Sequence, residues 1–340
     1  MPTIKDIAKA CGVSYPTVSH VLNGTRPVSE ATRRKVLEAV EQFNYHPNAL
    51  ARGLLKKRVN TLSVLFPHSR GSFVLNHHLG PIMDGIVSVA MSQEQSVMLS
   101  MASEFRESPR RLRHHCDGRS DGLLIVRQPT DSPFVQALRQ AQLPFVCIDE
   151  AREDADVPCV DADQAGAAYA LTKYLLERGH RRIAALPGDA DHVSTLLRLE
   201  GYRHALRQHG IPTEDGLVLP GDYSDQSGYD RAGRILDTFA GPSRPTALAC
   251  MSDNIALGVL QALAERGLSV PEEMSVAGID DVAAASTSSP PLTTVRLAFR
   301  EMGERATEML LAQIHGEDVP WRRHLIPSQL IERRSVSAPR

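Results

Sequence analysis

Residues 3–23 read TIKDIAKACGVSYPTVSHVLN, and this stretch decides the fold of the first part of the chain. The apolar residues from Ile4 to Cys11 recur at helical spacing, and Gly12 supplies a left-handed stop. Ser14 can cap a second helix, whose first turn holds Pro16 at a position where a missing N–H costs little. Two short helices joined by a tight turn, with a third packed across them, predict a helix-turn-helix.

The third helix is expected to follow Ser29, which can act as its N-cap. Its apolar side chains Val36, Leu37, Val40 and Phe43 are spaced so that they can bury against the first two helices. The first part of the chain is therefore predicted to be a small all-α head.

The second helix carries a polar stripe that suits the major groove of DNA, which such a helix enters with its N-terminal end first. Tyr15, Pro16 and His20 are thus placed to reach base edges, Pro16 only through a thymine methyl group. The alternative for His20 is a histidine that is simply exposed to solvent. The other DNA contacts are expected from side chains suited to phosphates and from the start of the first helix: Thr17, Ser19, Asn23, Arg26 and Thr3.

Charge is distributed unevenly along the chain. Residues 1–60 hold ten basic and four acidic side chains, whereas the whole chain holds 38 basic and 40 acidic ones. The net charge is therefore +6 for the first 60 residues and −8 for the remainder. A basic head on an acidic body suggests that only the head meets a polyanion.

The length of 340 residues favours two or three domains. No apolar run approaches the length of a membrane span, and the first residues lack the apolar core of a secretory signal, so no membrane partner is expected. The cysteines are odd in number, scattered and without a CxxC pair: Cys11, Cys116, Cys147, Cys159 and Cys250. This pattern suits a reducing cytoplasm and small buried hydrophobic side chains rather than a disulfide framework.

Motifs of catalytic and metal sites are missing from the sequence. It contains no GxSxG, P-loop or HExxH pattern and no paired-cysteine metal set. The neighbours in His77-His78 and in His114-His115 would face apart, so neither pair makes a metal site. We therefore expect no enzyme, no cofactor and no metal ion.

From Thr61 onward, short apolar runs alternate with helical patterns. Strands are expected at 62–66, 122–126, 144–148, 182–186, 247–251 and 274–279, and helices at 82–93, 134–142, 166–178, 199–209 and 254–266. Buried parallel strands separated by helices predict an α/β body of two doubly wound parallel-sheet subdomains. Ligands in such folds bind beyond the carboxyl ends of the strands.

Between head and body, residues 47–58 form a short segment in which Pro47 breaks the third helix and Asn48 can cap a new one. A helix of two or three turns that contains Gly53 is marginal in water. The segment is therefore predicted to become helical only against a partner. The alternative is a plain linker whose leucines cover the body.

Several stretches of the chain also resemble the LacI/GalR family of transcriptional regulators. In the head they are TIKDIA (3–8), GVS (12–14), TVSHVLN (17–23) and Thr32-Arg33; in the body they include ERGHRRI (177–183), RLEGY (198–202), SDNIALG (252–258), GIDD (278–281) and PLTTV (291–295). The resemblance implies a homodimer that binds double-stranded DNA at a palindromic operator and a body similar to periplasmic sugar-binding proteins.

The same resemblance implies that the two hinge helices of the dimer lie together in the minor groove. Leu54 matches a leucine that wedges into a central base step, although its neighbour Leu55 could be the one that inserts. Ala51 and Arg52 match neighbouring contacts in the groove.

For the body, the resemblance implies a small-molecule effector, a sugar or sugar derivative, bound between the subdomains. Arg198 would grip a polar ligand group, Asp280 would accept hydrogen bonds from it, and Tyr223 would stack on it. Either Phe73 or His78 would take a second stacking role. Asp253, at another strand end, could accept hydrogen bonds as Asp280 does. Asp149 and Asp161 match positions that line or support the cleft, and His192 and Ser194 fall on a loop where the family varies with effector. For any one carboxylate, the alternative is an ion pair or a helix cap.

The predicted domains are a head (1–46), a hinge helix (47–58) and a body (59–340). The N-subdomain is expected at about 60–160 and 291–321, and the C-subdomain at about 161–290 and 322–340. The predicted function is a sequence-specific DNA-binding regulator, a repressor, gated by its effector. A sugar-binding transport protein and an enzyme are the alternatives; the head argues against the first, and the missing catalytic motifs argue against the second.

Overall fold

The computed structural model describes residues 2–23, 26–45, 58–67, 78–102, 117–127, 132–149, 157–317 and 323–339. The chain divides into two units that are each compact, residues 1–61 with 118–121 and residues 62–117 with 122–340.

The first unit contains the three predicted helices, α1 (Ile4–Cys11), α2 (Tyr15–Asn23) and α3 (Glu30–Gln42). Gly12 ends α1 with a left-handed φ of 61°. The hydroxyl of Ser14 accepts the N–H of Thr17 at 3.3 Å, and the hydroxyl of Ser29 accepts the N–H of Thr32 at 3.3 Å. The capping residues read from the sequence therefore set the helix starts.

The head core is formed by one stripe from each helix: Ile7, Ala8, Cys11, Val18, Val21, Val36 and Ala39. Leu37 and Phe43, both predicted to be buried, are 48% and 40% exposed. Leu37 follows the buried Val36 and so lies about 100° around the helix from it. Phe43 is the C-cap of α3, where the chain leaves the helical path. The buried face of α3 is therefore narrower than predicted.

The second unit contains two sheets, of which the first has the strand order β2-β1-β3-β4-β5-β10. Its strands are β1 (Thr61–Pro67), β2 (Ser96–Ala102), β3 (Gly122–Val126), β4 (Phe145–Ile148), β5 (Cys159–Ala162) and β10 (Arg323–Ile326). The four pairings β1/β3, β3/β4, β4/β5 and β5/β10 are parallel. Helices α4 (Leu79–Ser92) and α11 (Phe299–His315) pack on one face, and α5 (Pro133–Gln140) on the other.

The second sheet has the order β6-β7-β8-β9-β11. Its strands are β6 (Ile183–Leu186), β7 (Ala247–Cys250), β8 (Ser275–Asp280), β9 (Thr293–Arg296) and β11 (Gln329–Ile331), and only β11 runs antiparallel to its neighbour. Helices α6 (Gln164–Glu177) and α7 (Val193–Gln208) cover one face, and α8 (Asp225–Thr238) and α9 (Asp253–Glu265) the other. A short helix α10 (Ala283–Thr287) follows β8. The predicted doubly wound α/β class is confirmed.

The subdomain boundaries differ from the predicted ones. The chain passes from the first sheet to the second between Ala162 and Gln164, back between Arg296 and Phe299, and forward again between Ile326 and Gln329. The predicted crossings near 290 and 322 were therefore too early. The physical reason is strand pairing, because four-residue β9 pairs with β8 in the second sheet and four-residue β10 pairs with β5 in the first.

The four cysteines in the described part of the chain, Cys11, Cys147, Cys159 and Cys250, are buried, as predicted. Burial raises the pKa of the Cys159 thiol to about 11 and that of Cys250 to about 12. These thiols therefore stay protonated at neutral pH. Among the described helices none has the length and apolarity of a membrane span; the longest, α11, has 17 residues.

Paired helices approach closely through glycines. A Cβ placed on Gly258 of α9 would lie 1.8 Å from the carbonyl oxygen of Asp225 at the start of α8. In return, a Cβ on Gly228 of α8 would lie 2.1 Å from the carbonyl oxygen of Ile255. Equally close approaches are found at Gly85 and Gly303 in the α4–α11 pair and at Gly201 in the α6–α7 pair.

Replacing Gly258 with alanine should therefore lower the free energy of unfolding by about 1–3 kcal/mol, because backbone must move to admit the methyl group. Gly80 in α4 is the matched control, since a Cβ there would meet no described atom within 4 Å. Gly80→Ala should leave stability unchanged or raise it by up to about 1 kcal/mol. Denaturant unfolding of both variants measures the difference, and equal stabilities would contradict the close approach.

Candidate functional site

The polar face of α2 in the first unit is the first candidate surface. Val18 and Val21 point into the core, whereas Tyr15 is 47% exposed and Pro16 is exposed beside it. Of the other predicted DNA contacts, Arg26 is exposed, and Thr17, Ser19 and His20 are half-buried. Asn23 ends α2, but its side chain lies outside the described atoms. The helix thus divides into a buried and an accessible face as the sequence predicted.

Thr3 has a structural role at the start of α1. Its N–H and its hydroxyl both donate to the Asp6 carboxylate at 2.7 Å. Hydrogen bonds from Thr3 also lower the pKa of Asp6, which stabilises its charge beside the positive end of the helix. The predicted DNA contact of Thr3 would be made by a side chain that already holds the helix start.

Four predicted site residues lie outside the described residues: Ala51, Arg52, Leu54 and Phe73. The roles expected for them stay predictions.

In the second unit, the carboxyl ends of strands from both sheets carry a connected set of polar side chains, with Arg198 of α7 at its centre. Arg198 is 3% exposed. Its Nε donates to Oε1 of Gln164 at 2.7 Å, one Nη to the carbonyl oxygen of Met251, and the other to Oδ1 of Asp280 at 3.3 Å. Burial alone would lower the pKa of Arg198, but the surrounding charges, Asp280 first, shift it upward, so the side chain stays charged.

Asp280 ends β8 and is 3% exposed. Burial raises its pKa to about 6, although Arg198 pulls in the opposite direction. The second carboxylate oxygen, Oδ2, has no hydrogen-bond partner among the described residues, and Nε2 of His78 lies 3.5 Å from it. The His78 ring in turn packs at 4.6 Å on the ring of Phe299. Asp280 thus keeps one acceptor available on the side where His78 and Phe299 lie.

The first sheet contributes Asp149 and Asp161, which are both buried. Nε of Arg127, directly after β3, lies 3.6 Å from Oδ2 of Asp149. The amide of Gln164 donates to Asp149 at 3.4 Å and to Asp161 at 3.3 Å. Arg127 and Gln164 were not identified as site residues from the sequence. The position of Arg127 immediately after a buried strand could have indicated its role. The sequence around Gln164 contains no comparable signal.

Tyr223 forms one wall of the polar set. Its hydroxyl lies 2.7 Å from that of Thr195 and 3.3 Å from that of Ser194, and the guanidinium carbon of Arg198 lies 5.9 Å from its ring centroid. A Cβ on Gly188 would lie 2.2 Å from the ring, so only glycine allows this position. The position of the Tyr223 ring is therefore set in part by the glycine after β6.

His192 and Ser194 were predicted to lie on the loop after β6; His192 does, whereas Ser194 lies in the helix. His192 is the N-cap of α7, with its ring centroid 5.9 Å from that of Tyr223, and Ser194 is in the first helical turn. The helix begins at Val193, six residues before the predicted start at Leu199. Arg198 is consequently held by a helix rather than by a loop.

Asp253 was predicted to accept hydrogen bonds from a ligand, but in the structure both of its oxygens already accept hydrogen bonds from the protein. It is fully buried, and its oxygens accept the hydroxyl of Thr294 at 2.6 Å and the N–H of Val282 at 3.0 Å. Burial, and then the charge of Asp280, raise its pKa well above the usual range. Asp253 therefore links β9 and the loop after β8 to α9. This is a structural role, as in the alternative given above for any one carboxylate.

Three residues of this site have a backbone conformation that is unusual for a side chain other than glycine. Arg127, Asp149 and Asp280 have φ values of 55°, 60° and 126°, in the left-handed range that costs non-glycine residues energy. Strained residues at strand ends are common where side chains must be aimed at a ligand.

A pocket of about 350 Å³ opens beside Asp280. It is lined from both subdomains, with Asp280 and Val282 on one side and Pro81 and Phe299 on the other. Such a volume suits a small molecule. The exposed Arg296 and Arg300 also line this pocket, whereas Arg198 is not among its lining residues. Within the described residues, no three histidine, cysteine or carboxylate side chains group as a metal site.

Comparison with known proteins agrees with both parts of this description. Residues 3–48 match the model of bacterial regulatory proteins of the lacI family, and residues 172–336 match a periplasmic binding protein-like domain. The chain is 34% identical over 338 residues to the HTH-type transcriptional repressor PurR of Vibrio atlanticus (strain LGP32), covering 99% of both chains. It is also 34% identical to the ribose operon repressor of Escherichia coli (strain K12), covering 99% of this chain and 100% of that one.

Solved structures give the same result. A lac repressor dimer bound to operator and the anti-inducer ONPF has a TM-score of 0.87 with 30% identity, covering 99% of both chains. A complex of the transcriptional regulator CelR with cellobiose has a TM-score of 0.73 with 30% identity, covering 98% of this chain and 100% of that one.

Fold and site together define a two-part regulator, in which a helix-turn-helix head is joined to a two-lobed ligand-binding body. The chain belongs to the lacI family of bacterial regulatory proteins, and it is a DNA-binding transcriptional regulator gated by a small-molecule effector. The family resemblance seen in the sequence is thereby confirmed.

Proposed function

We propose that this protein is a homodimeric repressor that binds a palindromic operator and responds to a small, neutral, hydroxyl-rich effector, a sugar or sugar derivative. The observation that carries the effector part is the buried Arg198–Asp280 pair, with Oδ2 of Asp280 as an available acceptor beside the Phe299 ring. Hydroxyl groups would donate to that oxygen, and the carbon face of a sugar would pack on an aromatic ring.

The charges around Arg198 favour a neutral ligand over an anionic one. Among the described residues, Arg198 is already paired with Asp280, and Arg127 with Asp149. Asp161 adds a further buried carboxylate. A phosphate or carboxylate group would have to compete with these internal partners. Two relatives are consistent with a neutral sugar as the effector. One is named a ribose operon repressor, and the structure of the other is a complex of the regulator CelR with cellobiose.

The DNA-binding part rests on the accessible face of α2 in a basic head. Two heads related by a two-fold axis would read mirrored half-sites, as the dimeric lac repressor on its operator illustrates. We assign the hinge residues Ala51, Arg52 and Leu54 to the minor groove and no catalytic activity to the chain. A repressor of this kind acts on the chromosome, which places it in the cytoplasm.

The test is whether the protein binds DNA from the region upstream of its own gene, measured by gel retardation and footprinting. Full-length protein at low ionic strength should retard this DNA and protect a two-fold symmetric footprint. Addition of ribose, cellobiose and related neutral sugars should identify one that changes the affinity, whereas their phosphate esters should have no effect. Failure to retard the DNA under every condition would exclude the repressor function, and a response to the phosphate esters alone would exclude the neutral effector.

Within the head, His20→Ala and Arg26→Ala should affect different properties of DNA binding, the first its sequence specificity and the second its salt dependence. Loss of a base contact at His20 should weaken operator binding by about 1–3 kcal/mol, or roughly five- to 150-fold, and relax specificity at one base pair. Loss of a phosphate contact at Arg26 should weaken binding to all sequences alike and reduce the slope of log K against log salt by about 1. Binding to operator and to random DNA at several salt concentrations measures both; identical behaviour of the two variants would contradict the assignment.

A further inference from the structure

Gln164 occupies the first position of α6, directly after the chain has crossed from the first sheet to the second. Its side chain is 2% exposed, although glutamine is seldom buried. The preceding Asp163 caps the helix by accepting the N–H of Gly166 at 2.8 Å, so Gln164 is not needed for capping. A buried amide at this position requires another explanation.

The partners of Gln164 fix the orientation of its amide. Oε1 accepts the Nε hydrogen of Arg198 at 2.7 Å, and Nε2 donates to the carboxylates of Asp149 at 3.4 Å and Asp161 at 3.3 Å. A guanidinium can only donate and an ionised carboxylate can only accept. The amide therefore has one satisfied orientation, with its oxygen toward the second subdomain and its nitrogen toward the first.

These contacts place Gln164 between groups that belong to different subdomains. Asp149 and Asp161 are held by β4 and β5 of the first sheet, and Arg198 is held by α7 on the second. The remaining nitrogens of Arg198 are bound to Met251 and Asp280, which leaves Gln164 to set the Nε edge of the guanidinium.

We propose that Gln164 is a positioning residue: it holds Arg198 in the orientation that faces the effector and links that orientation to Asp149 and Asp161 across the first crossing. This inference rests on the proposed effector site. It adds a residue through which a shift of one subdomain against the other would reach the side chain that grips the ligand.

Other side chains cannot substitute for both halves of the amide. Methionine has nearly the same length but neither accepts strongly nor donates. Glutamate keeps the acceptor for Arg198 and loses the donor, so a third carboxylate would face Asp149 and Asp161. Gln164→Met therefore removes both sets of hydrogen bonds, whereas Gln164→Glu removes only those to Asp149 and Asp161.

The test uses the full-length, effector-free protein and does not require a known ligand. The Nε–H signal of Arg198, labelled with ¹⁵N and assigned by its loss in Arg198→Lys, reports the hydrogen bond through its rate of exchange with water. In Gln164→Met, exchange should be faster by about ten-fold or more, as expected for loss of a hydrogen bond to a charged group. In Gln164→Glu, the signal should stay protected, because a carboxylate oxygen still accepts from Nε.

Gln164→Glu has a second signature, in its pH profile. Its denaturant midpoint should fall below that of the wild type at pH 8 and approach it at pH 5, where the new carboxyl group can take up a proton and donate to Asp149 or Asp161. Gln261→Glu is the matched control, because Gln261 lies on the exposed face of α9 and adds the same charge there. It should leave the Arg198 signal unchanged, and its exposed carboxylate, one turn from Glu265, should change the pH dependence of the denaturant midpoint far less than Gln164→Glu does.

The link to the first subdomain is tested by Asp161→Ala with and without Gln164→Met. Asp161→Ala should alter the Arg198 exchange rate more where Gln164 is present than where it is replaced, because only the direct effect of the Asp161 charge on Arg198 remains without the amide. Unchanged exchange in Gln164→Met, or an equal effect of Asp161→Ala in both backgrounds, would overturn the proposal. Neither result depends on operator or sugar binding, so failure of the proposed function and failure of this link are distinguishable.

Discussion

Arg198→Ala should lower the free energy of unfolding by about 3–5 kcal/mol, in addition to abolishing the response to effector, because it leaves the buried carboxylate of Asp280 without its cation. Both side chains are nearly inaccessible, at 3% exposure each, and their atoms lie 3.3 Å apart. Removal of the guanidinium also leaves the Gln164 oxygen and the Met251 carbonyl without a donor. The loss of stability should appear in denaturant unfolding of the effector-free protein.

A double-mutant cycle separates the uncompensated charge from lost packing. Asp280→Asn introduced into the Arg198→Ala protein should restore part of the lost stability, because it removes the charge while preserving the shape of the side chain. Arg266→Ala is the control, since Arg266 pairs with Asp237 at an exposed site and a surface pair of this kind contributes little. If Arg198→Ala is no more destabilising than Arg266→Ala, the buried pair is not what stabilises this site.

The head was predictable because its signals are local. Caps at Ser14 and Ser29 and a glycine stop after α1 act within one helical turn, so sequence spacing alone sets the helix limits. Burial on α3 was less predictable, because a periodic apolar pattern does not tell how wide the contact with two short helices will be. Leu37 lies just outside that contact.

In the body, six strands were predicted (β1, β3, β4, β6, β7 and β8), and five of the described strands were missed (β2, β5, β9, β10 and β11). β9 and β10 have four residues each, and their place is decided by pairing with β8 and β5, far away in sequence. For the same reason two of the three crossings were predicted too early. Register between distant strands is a tertiary property that no local window contains.

In the cleft, the resemblance identified Arg198, Asp280 and Tyr223, which the structure brings together. It did not indicate which carboxylates have their oxygens occupied by hydrogen bonds within the protein. Asp253 follows buried strand β7 and Asp280 ends buried strand β8. Only Asp253 has both carboxylate oxygens occupied, one by Thr294 and the other by Val282. Such a difference depends on hydrogen-bond partners from other strands, and so does the role of Gln164.

The pH dependence of stability should contain a contribution from Asp280, which reports directly on the burial of its carboxylate. Its pKa is raised from an ordinary 3.8 to about 6 in the folded protein. Between these values the folded state holds a proton that the unfolded state has released, so stability from this group increases as the pH falls through 6. The full shift corresponds to about 3 kcal/mol, of which roughly half is gained between pH 7 and pH 5.

Asp280→Asn removes this titration, so the difference in unfolding free energy between wild type and variant should change in favour of the wild type as the pH falls from 7 to 5. The charged and titratable groups facing Asp280 are Arg198, Asp149, Arg127, Asp253 and His78. The measurement is repeated in a His78→Phe background, which removes the ring nitrogen 3.5 Å from Oδ2 of Asp280 and should leave the direction of the pH effect unchanged.

Asp237→Asn is the matched control for the titration. Hydrogen bonding to Arg266 lowers the pKa of Asp237, so this carboxylate stays ionised in both states throughout the range. The difference in unfolding free energy between Asp237→Asn and the wild type should therefore not change between pH 7 and pH 5. An equally flat difference for Asp280→Asn would mean that water or a neighbouring charge reaches the carboxylate in solution, and the acceptor assigned to the effector would then be an ordinary solvated aspartate.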